Sequence, residues 1–222
     1  MLLGSGHLFG SVQHGAMNGP DHSFEIEARA SGARFIVGVD EVGRGPLAGP
    51  VTAAAVVLDL ANIPEGLDDS KKLSASRRLA LREAIMASAE VSIAHASVEE
   101  IDEINILRAS HLAMERAIAA LPCRPDMALI DGNMIPRGLK VPARAIIKGD
   151  SLSVSIAAAS IVAKICRDFV MRDLAQHYPG YGWETNAGYP CKRHIEALRD
   201  IGVTPHHRRS FKPVHNILYQ DK

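Results

Sequence analysis

A chain of 222 residues, 47% of them hydrophobic, can close one substantial core and leaves little over, so one domain with appendages is expected. Twenty-five Lys and Arg balance twenty-five Asp and Glu, which removes any global charge signal for a polyanionic partner. Three widely spaced cysteines exclude the paired framework of small secreted domains, the first residues lack the features of an export signal, and no apolar run approaches the roughly 20 residues of a membrane span, so a soluble, cytoplasmic protein is expected.

Residues 1–33 are rich in Gly, Ser, His and Asn, carry a turn signal at Gly19-Pro20-Asp21, and read as a flexible leader. The core begins at Arg34–Val39, a short apolar run suited to a buried strand, and Val51–Leu58 reads as a second strand that forms a hairpin with it. Ser74–Ala89 has helical spacing after a Ser start, and Val91–Ala96 alternates like an edge strand. Ile106–Leu121 is a further helix, Met127–Ile130 and Ala143–Ile147 are further strands, and Leu152–Gln176 carries the longest helical pattern, with small alanines that permit close packing on a sheet. The fold class is α/β, with a core over residues 34–180 and a basic segment over 181–222. From Cys191 onward seven basic residues face three acids.

Three separated segments place acid at the end of a predicted strand or the start of a predicted helix: Asp40-Glu41, Asp131 and Asp150. A single such acid is ordinary, since strands end in polar residues and Asp150-Ser151 could cap the next helix. Four acids at sheet ends point instead to a site, because ligands of α/β sheets gather there. Adjacent strand residues point to opposite faces, so Asp40 and Glu41 are expected to share a site only if the backbone departs from strand geometry, for which Gly43-Arg44-Gly45-Pro46 supplies the freedom. Four carboxylates together repel unless a cation neutralises them, and oxygen ligands suit Mn²⁺ or Mg²⁺. Two such ions would activate water and stabilise the leaving oxygen of a phosphodiester.

The run Gly38-Val39-Asp40-Glu41-Val42-Gly43-Arg44-Gly45-Pro46-Leu47-Ala48-Gly49-Pro50 resembles the opening motif of ribonuclease HII. Asp69–Leu73, Ile130–Asn133, Lys148–Ser151, Ala157–Lys164, Gly188–Pro190 and His206–Phe211 resemble that family's motifs in the same order, so the likeness spans about residues 34–214. It implies a ribonuclease H-like mixed sheet flanked by helices, with a small helical C-terminal segment. It further implies that Asp40, Glu41, Asp131 and Asp150 are catalytic metal ligands, that two ions bind with substrate, and that the substrates are RNA–DNA hybrid and duplex DNA containing ribonucleotides. The work of such an enzyme would be ribonucleotide excision in DNA replication and repair, leaving 5′-phosphate and 3′-hydroxyl ends. By the same resemblance Gly43, Arg44 and Gly45 read the ribose 2′-hydroxyl, which separates RNA from DNA, and Tyr189 stacks on a sugar.

Other residues carry weaker signals. Lys71 and Lys72 are read as phosphate contacts rather than a solvated pair. Ser153, Ala157, Ser160, Lys164 and Arg167 share one face of the long helix and are read as facing the cleft, with Lys164 steadying acids or phosphate. Cys191, His194, His206 and His207 have zinc-like spacing, but a structural zinc site repeats a tight pair at both ends, and the His206–Arg209 run, with Arg208 and Arg209, is read as a nucleic-acid-facing patch. His95 and His111 are read as core or boundary residues, while Tyr181 and Trp183 are equally open to packing or to stacking on bases. The competing functions are a ribonuclease H-like nuclease for DNA junctions, a non-catalytic duplex-binding module, and metal-free histidine catalysis.

Overall fold

The computed structural model describes residues 19–219. In chain order these form α1 (Ser23–Ala30), β1 (Ile36–Val42), β2 (Val51–Leu58), α2 (Ala75–Ser88), β3 (Ala89–Ala96), α3 (Val98–Ile104), α4 (Ile106–Ala119), β4 (Met127–Asp131), β5 (Ala143–Ile146), α5 (Val154–His177), α6 (Trp183–Asn186), α7 (Lys192–Asp200) and α8 (Lys212–Tyr219). The five strands make one mixed sheet in the order β3-β2-β1-β4-β5. β1 pairs antiparallel with β2, as the hairpin reading expects, and parallel with β4, while β3 forms one edge. No helix among the described residues is long and apolar enough to cross a membrane.

The alternation of side chains along a strand divides the core between two faces. Val37, Val39, Val51, Ala53 and Ala55 pack with Ala109, Ala113 and Ala117 of α4. The intervening residues Ala54, Val56 and Leu58 pack with Leu81 and Ile85 of α2 and with Ala158, Ile161, Val162 and Ile165 of α5. β2 is buried along its whole length because both of its faces are covered. Small residues set the layer spacing. A side-chain carbon added at Gly38 would overlap the backbone of Ser155 and Ile156, so the first turn of α5 lies directly on β1.

Part of the expected leader is structured. α1 packs Phe24 and Ala28 against Ile36, Leu129, Ile146 and Ile156, and its Glu25, fully buried, accepts from Ser153 Oγ at 2.5 Å and Ser155 N at 3.0 Å. That carboxylate sits at the start of α5, where exposed N–H groups and the helix dipole favour negative charge. The expectation of a flexible stretch is therefore corrected over 23–30, where two apolar side chains one turn apart and one acid suffice to dock a short helix. Residues 1–18 lie outside the described residues. At the other end, Tyr181, Trp183, Leu198 and Val214 close a cluster with Leu47, Ala48 and Met171, so Tyr181 and Trp183 are packing anchors and not a stacking platform.

The Gly38 contact is testable. Gly38→Ala forces backbone apart from backbone and should destabilise the protein by about 3 kcal/mol or more, or prevent folding, as read by urea denaturation. A loss under about 1 kcal/mol would mean that α5 and β1 are not in this contact.

Candidate active site

Three of the expected acids meet at the ends of the two central strands. Asp40 and Glu41 lie at the end of β1, Asp131 closes β4, and one ligand oxygen from each falls within 4.8 Å of the others. Among the described residues this is the one group of three or more His, Cys, Asp or Glu able to hold a metal ion. Asp150 stands beside it in a single 3-10 turn, Gly149–Ser151, that leads into α5. Asp131 Oδ1 accepts from Gly149 N at 2.7 Å and Asp150 N at 3.4 Å, which ties that turn to the tip of β4.

One expectation about this geometry is corrected. β1 does not leave strand conformation at the acids: Asp40 pairs with Ala54 and Glu41 with Ala53, so the two side chains start from opposite faces. They meet because the parallel pairing of β1 with β4 ends at Val39 and Ile130, which leaves that edge of β1 open. Asp40 folds along its own backbone and accepts from Glu41 N at 2.7 Å, while the Ser160 hydroxyl of α5 also holds it. Glu41 reaches the same edge from the α4 side, in a cleft it shares with Leu107, His111 and Met114.

The crowding has an electrostatic cost. Burial, then the charges of Glu41 and Asp131, push the Asp40 carboxyl well above the usual carboxylate range. Burial also raises Glu41 against the pull of Arg44, and burial with Asp150 raises Asp131. Partly offsetting charge comes from Lys71 Nζ, 3.3 Å from Asp150, and from Arg44 Nη1, 3.1 Å from Glu41. A set of carboxylate oxygens that repel one another suits a hard divalent cation.

The remaining expected residues divide by place. Gly43, Arg44 and Gly45 form the loop after β1, with Tyr189, 45% exposed, so close to Gly45 that a side-chain carbon there would lie 3.3 Å from the ring. Ser160 lies beside the acids and hydrogen-bonds Ser70 at 2.9 Å, a partner that sequence reasoning missed although Ser70 stands in the Asp69–Leu73 motif. Lys72 pairs with Asp68 at 3.0 Å, and Lys164 with Asp168 at 2.7 Å rather than with the four acids. Of the stripe on α5, Arg167 is buried and Ser153 binds Glu25, so only part of it faces the cleft. His111, read as a boundary residue, lines the cleft beside Glu41, which its place on an amphipathic helix could not reveal.

The basic patch over His206–Arg209 is corrected. Arg208 and His207 are fully buried, because Arg208 spends its donors on loop carbonyls and His207 lies in the Trp183 cluster; Arg209 is exposed. The zinc spacing also dissolves: Cys191 is exposed, and His194 and His207 bond to each other. His194 Nδ1 faces the Tyr189 carbonyl at 3.0 Å and so carries the proton, leaving Nε2 to accept from Trp183 Nε1 at 3.1 Å and His207 Nε2 at 3.1 Å. His207 Nδ1 then accepts from Thr204 N at 3.0 Å and Thr204 Oγ1 at 2.9 Å. Both rings are neutral.

The model of the ribonuclease HII family matches residues 37–214, a span that includes all four acids. The chain belongs to the ribonuclease HII family. It is therefore an endoribonuclease, a hydrolase. It is 70% identical to a ribonuclease HII of Ruegeria sp. (strain TM1040), over 93% of this chain and 90% of that one, and 65% identical to one from Paracoccus denitrificans (strain Pd 1222), over 93% and 98%. Among solved structures, ribonuclease H2 of Pyrococcus horikoshii OT3 superposes with a TM-score of 0.70 at 27% identity, covering 83% of this chain and 97% of that one. Bst-RNase HIII in complex with Mn²⁺ gives a TM-score of 0.70 at 22% identity over 88% of this chain and 72% of that one, a likeness of the ribonuclease H-like fold.

Burial, then the neighbouring His194, lowers the His207 pKa to about 3, against an ordinary value of about 6.5. The unfolded chain therefore binds the extra proton between these values, and the stability that a neutral His207 contributes is present above pH 6.5 and lost as pH falls toward 3. From pH 7 to pH 5 the wild type should lose about 2 kcal/mol more than His207→Gln, by urea denaturation at both pH values. Parallel losses would mean that His207 does not stay neutral in the fold.

Proposed function

We propose that this chain hydrolyses the RNA strand of RNA–DNA hybrids and cuts at ribonucleotides embedded in duplex DNA, with two divalent ions, leaving 5′-phosphate and 3′-hydroxyl ends. The observation that carries the reading is the convergence of Asp40, Glu41 and Asp131 on one point, beside Asp150. Their all-oxygen donor set and only partly offset repulsion fit Mg²⁺ or Mn²⁺, with the four acids as ligands. When bound, such ions supply an activated water and stabilise charge on the leaving 3′-oxygen.

The chain's own residues supply position. The Ser160 hydroxyl is a hydrogen-bond partner of Asp40, and the Gly149 and Asp150 amides fix Asp131. Arg44, 3.1 Å from Glu41, opposes the burial that raises its carboxyl pKa. Gly43, Arg44 and Gly45, backed by the Tyr189 ring, offer backbone donors and a flat surface to a ribose at an RNA–DNA junction, where the 2′-hydroxyl is the distinguishing group. Lys71, Lys72, Lys164 and Arg209 are available to phosphates flanking the cut, and such contacts position the duplex without reading its sequence.

The test offers four substrates: a DNA duplex with one ribonucleotide, an RNA–DNA hybrid, an all-DNA duplex and a single-stranded RNA, each with Mn²⁺, Mg²⁺ or chelator. Cleavage of the first two, dependent on metal and ending in 3′-hydroxyl, is expected. Cleavage that survives chelation, a 2′,3′-cyclic end, or equal cutting of the all-DNA duplex would overturn the reading. Asp40→Asn and Asp131→Asn should each lower turnover on the order of a hundredfold or more, the scale of losing one preorganised electrostatic group.

The same substitutions should behave oppositely in stability. An acid whose folded pKa lies above its unfolded value costs stability as pH rises past that unfolded value, so metal-free Asp40→Asn should melt above the metal-free wild type at pH 7. Added Mn²⁺ should raise the wild-type midpoint and leave the variant's nearly unchanged, in a thermal melt followed by circular dichroism. Equal metal responses would remove Asp40 from the ligand set.

A further inference from the structure

Two arginines are buried with no counter-ion among the described residues, and both grip the same loop. Arg208 is 0% exposed and Arg167 1% exposed, and among the described residues neither has a carboxylate within ion-pairing distance. Arg208 donates from Nε to Gly49 O at 3.0 Å, from Nη1 to Arg44 O at 2.9 Å and from Nη2 to Gly43 O at 2.5 Å. Arg167 donates from Nε to Pro50 O at 3.0 Å, from Nη2 to Ala48 O at 3.0 Å and from Nη1 to Ala187 O at 2.9 Å, two residues before Tyr189. Between them they hold five of the eight carbonyls of residues 43–50.

A buried cation with no partner charge is costly, and an apolar side chain of similar volume would fill the space more cheaply. What an apolar residue cannot do is donate in three directions from one rigid plane, which is the property of guanidinium that lysine lacks as well. The loop is also shaped to receive them. Gly43 has φ of +96°, and a side-chain carbon there would collide with Arg167, so the backbone and the arginine occupy one interlocked volume. Further backbone bonds, Leu47 N to Gly188 O at 2.7 Å, Gly49 N to His206 O at 2.9 Å and Arg208 N to Leu47 O at 2.8 Å, join the loop to the C-terminal segment.

We propose that Arg208, supported by Arg167, is a positioning residue for substrate reading: its guanidinium fixes the carbonyls of Gly43 and Arg44 so that the loop presents its amides and the Arg44 side chain in register with Glu41 and Tyr189. This rests on the reading of the loop as the ribose-recognising element. Affinity for a duplex comes mainly from phosphate contacts, which this clamp does not touch, so its loss should appear in turnover and not in KM.

The test is Arg208→Lys, which keeps charge and removes the fork. Amide hydrogen exchange over residues 43–50 should be at least tenfold faster than in the wild type, with exchange in β1 and α5 unchanged. On the single-ribonucleotide duplex, kcat should fall at least tenfold while KM moves less than threefold. Should Arg208→Lys fail to fold, Arg167→Lys is judged by the same two measures. Wild-type exchange and kcat in a folded variant, or failure of both variants to fold, would assign the pair to the core alone and overturn the proposal. An inactive wild type would instead count against the functional reading, and the exchange measurement would still decide the clamp.

Discussion

Crowding of like charge at the tips of two neighbouring strands is the constraint on which the rest of this structure depends. Asp40, Glu41 and Asp131 are drawn together although burial and mutual repulsion raise all three carboxyl pKa values. The fold tolerates the arrangement because rigid neighbours oppose it from every side. α5 lies on β1 with no side chain between them at Gly38, α4 covers the other face, and the turn before α5 is bonded to Asp131. Strain of this kind, held by a packed scaffold, is characteristic of sites that bind a countercharge.

Much of the architecture was legible because the strands and long helices obey their periods. Val51–Leu58 was delimited to the residue, and the long helix was placed within two residues at its start, since a run of alanines and β-branched residues leaves little ambiguity. Two short helices escaped. α1 has two turns and follows a Gly-Pro-Asp signal that reads as loop, while α3 was signalled by the capping box of Ser97 and Glu100 that precedes only seven helical residues.

The site was legible as a set of residue types and opaque as a geometry. Four acids at strand ends could be picked out one by one, but the open edge of β1 depends on where β4 stops, and that is a property of pairing. The same gap misplaced Arg208. A run of two histidines and two arginines looks like a solvated patch by composition, whereas burial is decided by carbonyls that lie about 160 residues earlier in the chain. Long-range partners of this sort leave no local mark.

The opposite facing of Asp40 and Glu41 also separates their upkeep. Asp40 answers to Ser160 and the α5 layer, Glu41 to Arg44 and a cleft walled by His111 and Met114 of α4. Two layers thus each hold one half of the same centre, so a shift in the packing of one helix moves its own acid and reaches the other through the charge between them.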